Sequence, residues 1–408
     1  MARTRVLVVD DSAFMRHTLN RMLGAIPALE VVGAASDGEE GLRLTRELRP
    51  DVITLDVEMA VLDGLAMLKR LMLETPTRVV MLSGRTTENA RLSLDALEYG
   101  AIDFVPKPSG PLAIDIGQIG DELVRKIEAA AAMTEAAFLR HCQTAVRNLA
   151  LAGREARAAT PTADRPLDGG STAGLHVLPG TGSARRHRRT PRIAARRLVV
   201  VASSTGGPSA LQVLVKGLPS TLGAAVAIVQ HMPPGFTASL AARLDSAGTL
   251  RCAEATSEDV LVEDEILVAP GDRHIISSTR GRIRLVRLLP VNGVRPAADV
   301  TLQSVAPIWR ERLLCVVLTG MGVDARDGAR AVKLYGGTVI AQDAATATIY
   351  GMPRAVVEAG LADVVLPLDQ IASWVAAWCA APEHEATGPE LDCTDRAAPP
   401  AGRSAVAS

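Results

Sequence analysis

Short runs of β-branched and apolar residues alternate with longer amphipathic segments in the first part of the chain. The apolar runs are RVLVVD, LEVVGAA, PDVITLD, TRVVMLS and IDFVPKP, and helix-length segments separate them. Such alternation is typical of repeated βαβ units, in which helices cover both faces of a parallel sheet. We therefore predict a doubly wound α/β domain over residues 1–122.

A second set of strand patterns begins near residue 195, with RLVVVAS, AAVAIVQH, DEILVAPG, RIRLVRL, LLCVVLTG and GGTVIAQ. Helix-length segments lie between several of them, which predicts a second doubly wound, parallel-sheet α/β domain over residues 195–382. Residues 123–194 start with helix-favouring sequence and continue into a Gly-, Pro-, Ser-, Thr- and Arg-rich stretch, so we predict a linker that is first helical and then disordered. Residues 383–408 are predicted to be a disordered tail.

Composition narrows the classes of protein to which the chain can belong. The formal charge of the 408 residues is -1, which argues against a whole-protein role in nucleic-acid binding or membrane association. The five cysteines are scattered and form no C-x-x-C pair, so neither a disulfide framework nor a zinc site is indicated. No apolar run approaches the roughly 18 residues that a membrane-spanning helix needs. We expect a cytoplasmic monomer without membrane insertion.

Polar side chains lie at the ends of four of the five strands of the first predicted domain. Asp10 and Asp11 end the first strand, Asp56 ends the third, Ser83 ends the fourth and Lys107 follows the fifth. The carboxyl ends of parallel strands meet at one crevice, where three converging carboxylates suit a Mg²⁺ ion. With a nearby hydroxyl and ammonium, such a site suits phosphoryl transfer to an aspartate. Any one of these residues alone is equally compatible with a structural role, such as capping a helix.

The turn SSTGGP, which follows the first strand of the second domain, is open to three interpretations: a phosphate-binding loop, an ordinary strand-to-helix loop, which is the commoner role of such small residues, or a turn that presents a nucleophile. A phosphate-binding P-loop needs a lysine after its glycines and a dinucleotide-binding turn needs three spaced glycines, and the sequence has neither. The third interpretation is a strand–turn–helix that presents the hydroxyl of Ser204 as a nucleophile. His231 ends the next strand and Asp324 follows a later one, so strand-end geometry predicts a nucleophile, a base and an orienting carboxylate at one edge.

Two neighbouring residues compete with members of this predicted triad. Ser203 precedes Ser204, and Asp327 lies close to Asp324 in the same loop. We favour Ser204 because it holds the apex of the turn, and Asp324 because of its position in the loop. The glycine-rich TGMG segment offers exposed backbone amides that are suited to stabilising an oxyanion.

The first-domain motifs VLVVDDSAFMR, PDVITLDVEM, LDGL, VVMLSG and GAIDFVPKP resemble the receiver domain of bacterial two-component response regulators. The resemblance implies a flavodoxin-like fold that is phosphorylated on Asp56 by a histidine kinase of the chemotaxis type. It implies a Mg²⁺ cofactor bound by Asp10, Asp11 and Asp56. It also implies that the phosphoryl group is sensed by Ser83, Phe104 and Lys107.

The second-domain motifs SSTGGP, VQHMPPGFTASLAARL, VAPGDRHI, RPAADV, LTGMGVDARDGA and YGMPR resemble the catalytic domain of the chemotaxis methylesterase family, CheB. The resemblance implies phosphorylation-activated hydrolysis of glutamate γ-methyl esters on methyl-accepting chemoreceptors, with deamidation of receptor glutamines and without a cofactor for ester hydrolysis. It implies Ser204 as nucleophile, His231 as base and Asp324 as the orienting carboxylate. The amide of Met321 is the implied oxyanion donor.

The alternative is a response regulator with a non-catalytic or nucleic-acid-binding output. Its support is the segment ARRHRRTPRIAARR, with seven arginines between Arg185 and Arg197. An arginine-rich stretch is more often a solvated linker than a specific DNA reader, and no helix-turn-helix pattern follows it. We therefore expect no nucleic-acid partner.

Overall fold

The structure is a computed structural model that describes residues 3–84, 86–107, 115–158, 194–279 and 281–382. The second half of the predicted linker and the predicted tail lie outside these residues. Within the described ranges, no helix has both the length and the apolar character that crossing a bilayer requires.

The first unit is a five-stranded parallel sheet with the strand order β2-β1-β3-β4-β5, which confirms the predicted doubly wound fold. Its strands are β1 (Thr4–Val9), β2 (Leu29–Ala35), β3 (Val52–Asp56), β4 (Arg78–Ser83) and β5 (Asp103–Pro106). Its helices are α1 (Ala13–Gly24), α2 (Gly38–Leu48), α3 (Gly64–Glu74), α4 (Thr87–Glu98) and α5 (Asp115–Ala131). Because β1 pairs with β3, the residues that end these two strands lie side by side.

Short polar side chains fix where the first four helices begin. Each accepts a hydrogen bond from the backbone amide three residues later, and these N-caps are Ser12, Asp37, Asp63 and Thr86. Such caps satisfy an amide that the helix itself leaves without a partner. Ser12 therefore caps α1, while Asp10 and Asp11 precede the cap.

A further helix, α6 (Glu135–Ala158), packs against the first unit. Phe138 and Cys142 of α6 are buried, and the Nδ2 of Asn148 donates to the carbonyl of Glu98 at 3.0 Å. His141 Nε2 lies 3.0 Å from the carbonyl oxygen of Gly100. Two side chains of α6 thus bind backbone carbonyls at the carboxyl end of α4. The predicted boundary at residue 122 falls inside α5.

The second unit contains a seven-stranded parallel sheet with the order β14-β13-β12-β6-β7-β9-β8, and a separate hairpin of β10 and β11. The strands are β6 (Leu198–Ser203), β7 (Ala225–Gln230), β8 (Arg251–Glu254), β9 (Glu265–Val268), β10 (His274–Ser277), β11 (Ile283–Val286), β12 (Leu313–Val317), β13 (Thr338–Gln342) and β14 (Val364–Leu366). The helices are α7 (Gly207–Gly217), α8 (Phe236–Ala247), α9 (Ala298–Trp309), α10 (Arg326–Leu334), α11 (Met352–Glu358) and α12 (Leu368–Ala380), with a short 3-10 turn at Arg310–Arg312.

Strand β6 is the centre of this sheet and separates two apolar cores. Its residues are fully buried and alternate between the two faces, with Val199 and Val201 in one core and Leu198 and Val200 in the other. A strand buried on both faces is a continuous apolar run, as the VVVA sequence shows. Three short strands, β8, β10 and β14, were not predicted.

The two units pack directly against each other. The ring of Phe104 in β5 stacks on that of Phe236 in α8, with centroids 4.6 Å apart and an interplanar angle of 19°. Arg243 of α8 forms ion pairs with Asp95 and Glu98 of α4. The contact therefore combines a buried aromatic pair with charged side chains around it.

Replacing Gly64 with Ala should lower the free energy of unfolding by about 1–3 kcal/mol, because the added methyl group has no space. A Cβ at Gly64 would lie 1.9 Å from the carbonyl oxygen of Asp56. Urea denaturation of the full chain measures the effect. Gly24→Ala is the matched control, since no heavy atom lies within 4 Å of a Cβ there. Equal stability of the two variants would contradict the prediction.

Candidate functional site

Three of the predicted site residues follow adjacent strands of the second sheet. β6 pairs with β7 on one side and with β12 on the other. Ser204 follows β6, His231 follows β7, and Asp324 lies in the loop after β12. After β6 the chain adds β7 on one side of this strand, and it later adds β12 on the other side. Strand β6 is therefore the switch point, where ligand crevices form in such sheets.

The backbone of Ser204 is tightly held while its side chain remains partly exposed. Its amide donates to the carbonyl of Thr319 at 3.0 Å, and its carbonyl accepts from the amide of Gly207 at 2.7 Å. The competing Ser203 is fully buried, and its hydroxyl donates to Oε1 of Gln230 at 2.7 Å. Of the two serines, Ser204 therefore has the accessible hydroxyl.

Gln230 is a site residue that the sequence analysis missed. Its buried Nε2 donates to the carbonyl of Ser204 at 2.9 Å and to that of His231 at 3.1 Å. One amide group thus ties together the residues that follow β6 and β7. The only sequence signal was a polar residue at the end of the otherwise apolar run AVAIVQ.

His231 and Asp324 form a direct pair, with Nε2 and Oδ2 2.7 Å apart. Asp324 also accepts hydrogen bonds from the amides of Ala298 at 2.6 Å and Asp299 at 3.0 Å, in the first turn of α9. Burial opposes the charge on Asp324, but the hydrogen bond and charge of His231 and these amides hold its pKa below the usual range. With Nε2 facing the carboxylate, Nδ1 is the ring nitrogen left to act as a base.

The structure does not bring the serine and the histidine into hydrogen-bonding contact. Among the described residues, no hydrogen bond joins the Ser204 hydroxyl to the ring of His231. Such contacts in enzymes are often long without substrate and tighten when it binds. The structure therefore shows the contact between His231 and Asp324. Proton transfer from Ser204 to His231 stays a prediction.

The competing Asp327 faces solvent rather than the histidine. Its carboxylate lies 2.6 Å from Arg330 and 3.3 Å from Arg326, and the Arg330 hydrogen bond lowers its pKa. The acidic residue that does contact Asp324 is Asp299, whose amide donates to Oδ1 of Asp324. No role was predicted for Asp299, although it lies in the RPAADV motif. Burial and the charge of Asp324 raise the pKa of Asp299 to about 7.

The loop that contains Met321 is fixed against the nucleophile. The amide of Gly320 donates to the carbonyl of Ile349 at 3.0 Å, and a Cβ at Gly320 would lie 2.8 Å from that of Ser204. A glycine is therefore needed for this close approach. The amide of Met321 has no acceptor among the residues described, so it is available to a substrate oxygen.

In the first unit, Asp10, Asp11 and Asp56 place one carboxylate oxygen each within 4.8 Å of one another. Asp10 and Asp56 are buried and Asp11 is exposed, and the all-oxygen donor set fits a Mg²⁺ ion. Lys107 Nζ lies 2.8 Å from Asp10 and 2.6 Å from Asp56. Burial raises the pKa of Asp56 to about 6, against the hydrogen bond and charge of Lys107.

Of the three predicted sensing residues, only Lys107 contacts Asp56. The hydroxyl of Ser83 is buried and accepts from Oγ of Ser93 in α4 at 2.7 Å. Phe104 lies in the contact between the two units, stacked on Phe236. Lys107 therefore contacts the phosphorylation site, whereas Ser83 contacts α4 and Phe104 contacts the second unit.

Comparison with known proteins identifies both units. The family model described as CheB methylesterase matches residues 199–375, and that described as response regulator receiver domain matches residues 6–115. A protein-glutamate methylesterase/protein-glutamine glutaminase of Symbiobacterium thermophilum is 47% identical, covering 90% of this chain and 95% of that protein. The chain belongs to this family.

Two further members of the methylesterase family match the same share of this chain. Proteins with the same name from Thermotoga maritima and Pyrococcus abyssi are each 40% identical over 90% of this chain, covering 96% and 92% of their own lengths. The similarity therefore spans both units and is not confined to the receiver. A nucleic-acid-binding output is not favoured, since the methylesterase match occupies the second unit.

Replacing Asp10 with Asn should weaken Mg²⁺ binding by about 10-fold or more, because it removes one of three clustered carboxylates. Isothermal titration calorimetry of the unphosphorylated full chain measures the affinity. Glu58→Gln is the control, because it removes an exposed carboxylate close to Asp56 that is not in the cluster. An unchanged affinity in the Asp10 variant would exclude this carboxylate as a ligand.

Proposed function

We propose that the protein is a phosphorylation-activated methylesterase that hydrolyses glutamate γ-methyl esters on chemoreceptors and deamidates receptor glutamines. The observation that supports this most directly is the 2.7 Å contact of His231 with Asp324, next to the accessible serine at the central strand. The relatives that match along both units have the corresponding name.

In the proposed mechanism, Nδ1 of His231 accepts the proton of Ser204 while the hydroxyl attacks the ester carbonyl. The amide of Met321 donates to the oxyanion of the tetrahedral intermediate. The protonated histidine then gives its proton to the leaving methoxide, and methanol departs. Water, deprotonated by the same ring, attacks the acyl-enzyme, the ring returns that proton to the oxygen of Ser204, and the product leaves as a glutamate carboxylate. A glutamine substrate would release ammonia in place of methanol.

The proposed partners follow from the two units. A histidine kinase of the chemotaxis type would supply the phosphoryl group to Asp56, with Mg²⁺ held by the three carboxylates, and cytoplasmic receptor helices would be the substrate. We place the protein in the cytoplasm. The proposed division is a receiver at 1–122, a linker at 123–194, a catalytic domain at 195–382 and a tail at 383–408.

The contact between the units supports coupling of phosphorylation to catalysis. Thr205 follows Ser204, and its hydroxyl donates to Oδ2 of Asp103, the first residue of β5. Lys107, just after the end of β5, contacts Asp56. One short strand therefore connects the phosphorylation site to the residue beside the nucleophile.

Phosphorylation changes the charge that this strand faces. A phosphoryl group on Asp56 adds negative charge and attracts Lys107, which favours a different position of β5. Any movement of β5 also moves Asp103 and Phe104, which contact the second unit. We infer that the receiver restricts the catalytic crevice when unphosphorylated and that phosphorylation shifts the balance between two arrangements of the units.

The two described arginines of the basic segment, Arg196 and Arg197, bind other groups of the same chain. Arg196 pairs with Glu263 at 3.3 Å, and Arg197 donates to the carbonyls of Trp378 and Ala381. Residues 185–193 lie outside the described ranges. These contacts give no support to a DNA-binding output.

Ser204→Ala should reduce methanol release from methylated receptor about a thousand-fold or more, since it removes the nucleophile. Ser203→Ala is the matched control and should stay within about 10-fold of wild type, because this hydroxyl is committed to Gln230. Released methanol is measured by gas chromatography with the full chain. A larger loss in the Ser203 variant would assign the nucleophile to Ser203.

Arg243→Ala should raise the unphosphorylated rate roughly two- to five-fold, because it removes ion pairs of about 0.4–1 kcal/mol between the units. Methanol release is compared with and without acetyl phosphate. Arg251→Ala is the control, since its ion pair with Glu265 lies within the second unit. Asp56→Asn should retain the basal rate and lose stimulation, and stimulation that survives in this variant would refute the coupling.

A further inference from the structure

Asp299 forms hydrogen bonds with three segments of the chain next to the His231–Asp324 pair. It lies in the first turn of α9 and is only 3% exposed. Its Oδ1 accepts from the amide of Gly328 in α10 at 2.6 Å, and its Oδ2 accepts from Nδ2 of Asn292 at 3.2 Å. Its own amide donates to Oδ1 of Asp324 at 3.0 Å. The backbone amide of Asp299 therefore holds Asp324, while its side chain fixes the first turn of α9 against α10 and Asn292.

The side chains of Asp299 and Asp324 are neighbours, because the amide of Asp299 donates to Oδ1 of Asp324. Both groups are buried, and two ionised carboxylates in such a contact repel strongly, so the pair retains one proton. Asp324 faces His231 and accepts two amide hydrogen bonds, all of which favour its ionised form. The proton therefore resides on Asp299.

We propose that Asp299 is a positioning residue for ester hydrolysis, whose protonated carboxyl group donates a hydrogen bond to Asp324 and fixes the carboxylate that orients His231. The inference rests on the proposed function, because it assigns Asp299 a task in that reaction. Asp299 touches neither the substrate nor the reacting atoms, and it acts only through Asp324. Its neutral form adds a donor without adding a second negative charge to the buried site.

The surroundings of Asp299 determine how this arrangement responds to pH. The titratable groups that face it are Asp324 and, beyond it, His231, together with the buried thiol of Cys315 in β12. The charge of the solvent-facing Asp327 acts on it from α10. Burial, followed by the charge of Asp324, raises the pKa of Asp299 to about 7. As the pH rises through this value, Asp299 loses its proton, the donated hydrogen bond is lost, and the two carboxylates repel.

The raised pKa of Asp299 also makes the free energy of unfolding depend on pH. The unfolded chain ionises this carboxyl near its ordinary pKa of about 3.9, well below the folded value. Between these two values the folded state binds more protons than the unfolded state. The contribution of Asp299 to stability is therefore greatest at low pH and declines as the pH rises toward 7.

The test compares Asp299→Ala and Asp299→Asn in the full chain, with methanol release from methylated receptor measured between about pH 5.5 and 8.5. Asp299→Ala should lower kcat about 10- to 100-fold and leave KM within about two-fold, since only the orientation of the triad is affected. Asp299→Asn supplies a permanent donor, so kcat should stay within about three-fold of wild type. The fall in wild-type kcat above pH 7 should be absent in the Asn variant.

Asn292→Gly provides a second variant that does not alter the buried acid. Asn292 has a φ of 53°, which glycine adopts without strain, and its side chain donates to Asp299. Loss of this donor disfavours the ionised form of Asp299, so the alkaline fall in kcat should move to higher pH. This readout is available even if Asp299→Ala fails to fold.

Three results would overturn the assignment. They are an unchanged kcat in Asp299→Ala, an alkaline fall that persists at the same pH in Asp299→Asn, and an unshifted fall in Asn292→Gly. Failure of the proposed function would give a different result. Wild type itself would then release no methanol, whether or not Asp299 is replaced.

Discussion

The buried carboxylate of Asp324 is the group on which the arrangement of the second unit depends. A negative charge that is almost fully removed from water is tolerated only where donors surround it. The chain supplies these donors from separate places, namely the first turn of α9 and the ring of His231. Each donor fixes an element, so the requirement to compensate one charge brings α9 and the end of β7 to the loop that follows β12.

Both units place their reactive groups at the carboxyl ends of parallel strands, but the chemistry of the two edges differs. In the first unit three carboxylates and a lysine surround a position suited to a cation and a phosphoryl group. In the second, a single carboxylate is matched by a histidine and backbone amides, which suits proton transfer and an oxyanion. Strand β5 connects them, because its first residue binds Thr205 and the residue after its end binds Asp56.

Residues at strand ends were predictable because the period of the apolar runs defines the strands, and the parallel topology then defines the edge. This reasoning reached Asp56 and Asp324. The two families were predicted from the resemblance of their motifs, and the comparisons confirm both. The strand-end reasoning could not reach Gln230 or Asp299, whose roles arise from hydrogen bonds across 26 and 25 positions of the chain. Nor could it show that Phe104 stacks on Phe236, since that contact requires the relative placement of the two units.

The position of Thr205 explains how a receiver can influence an esterase without supplying a catalytic group. Its hydroxyl donates to Asp103, while its carbonyl accepts from the hydroxyl of Thr319, whose own carbonyl binds the amide of Ser204. The turn around the nucleophile is thus part of one hydrogen-bonded set that reaches β5. Hydrogen bonds in a packed interior have few alternative arrangements. A small displacement of β5 therefore either keeps all the contacts of the turn around Ser204 or changes them together. A switch built in this way acts on the geometry and accessibility of Ser204, and it leaves the charges of the His231–Asp324 pair unchanged.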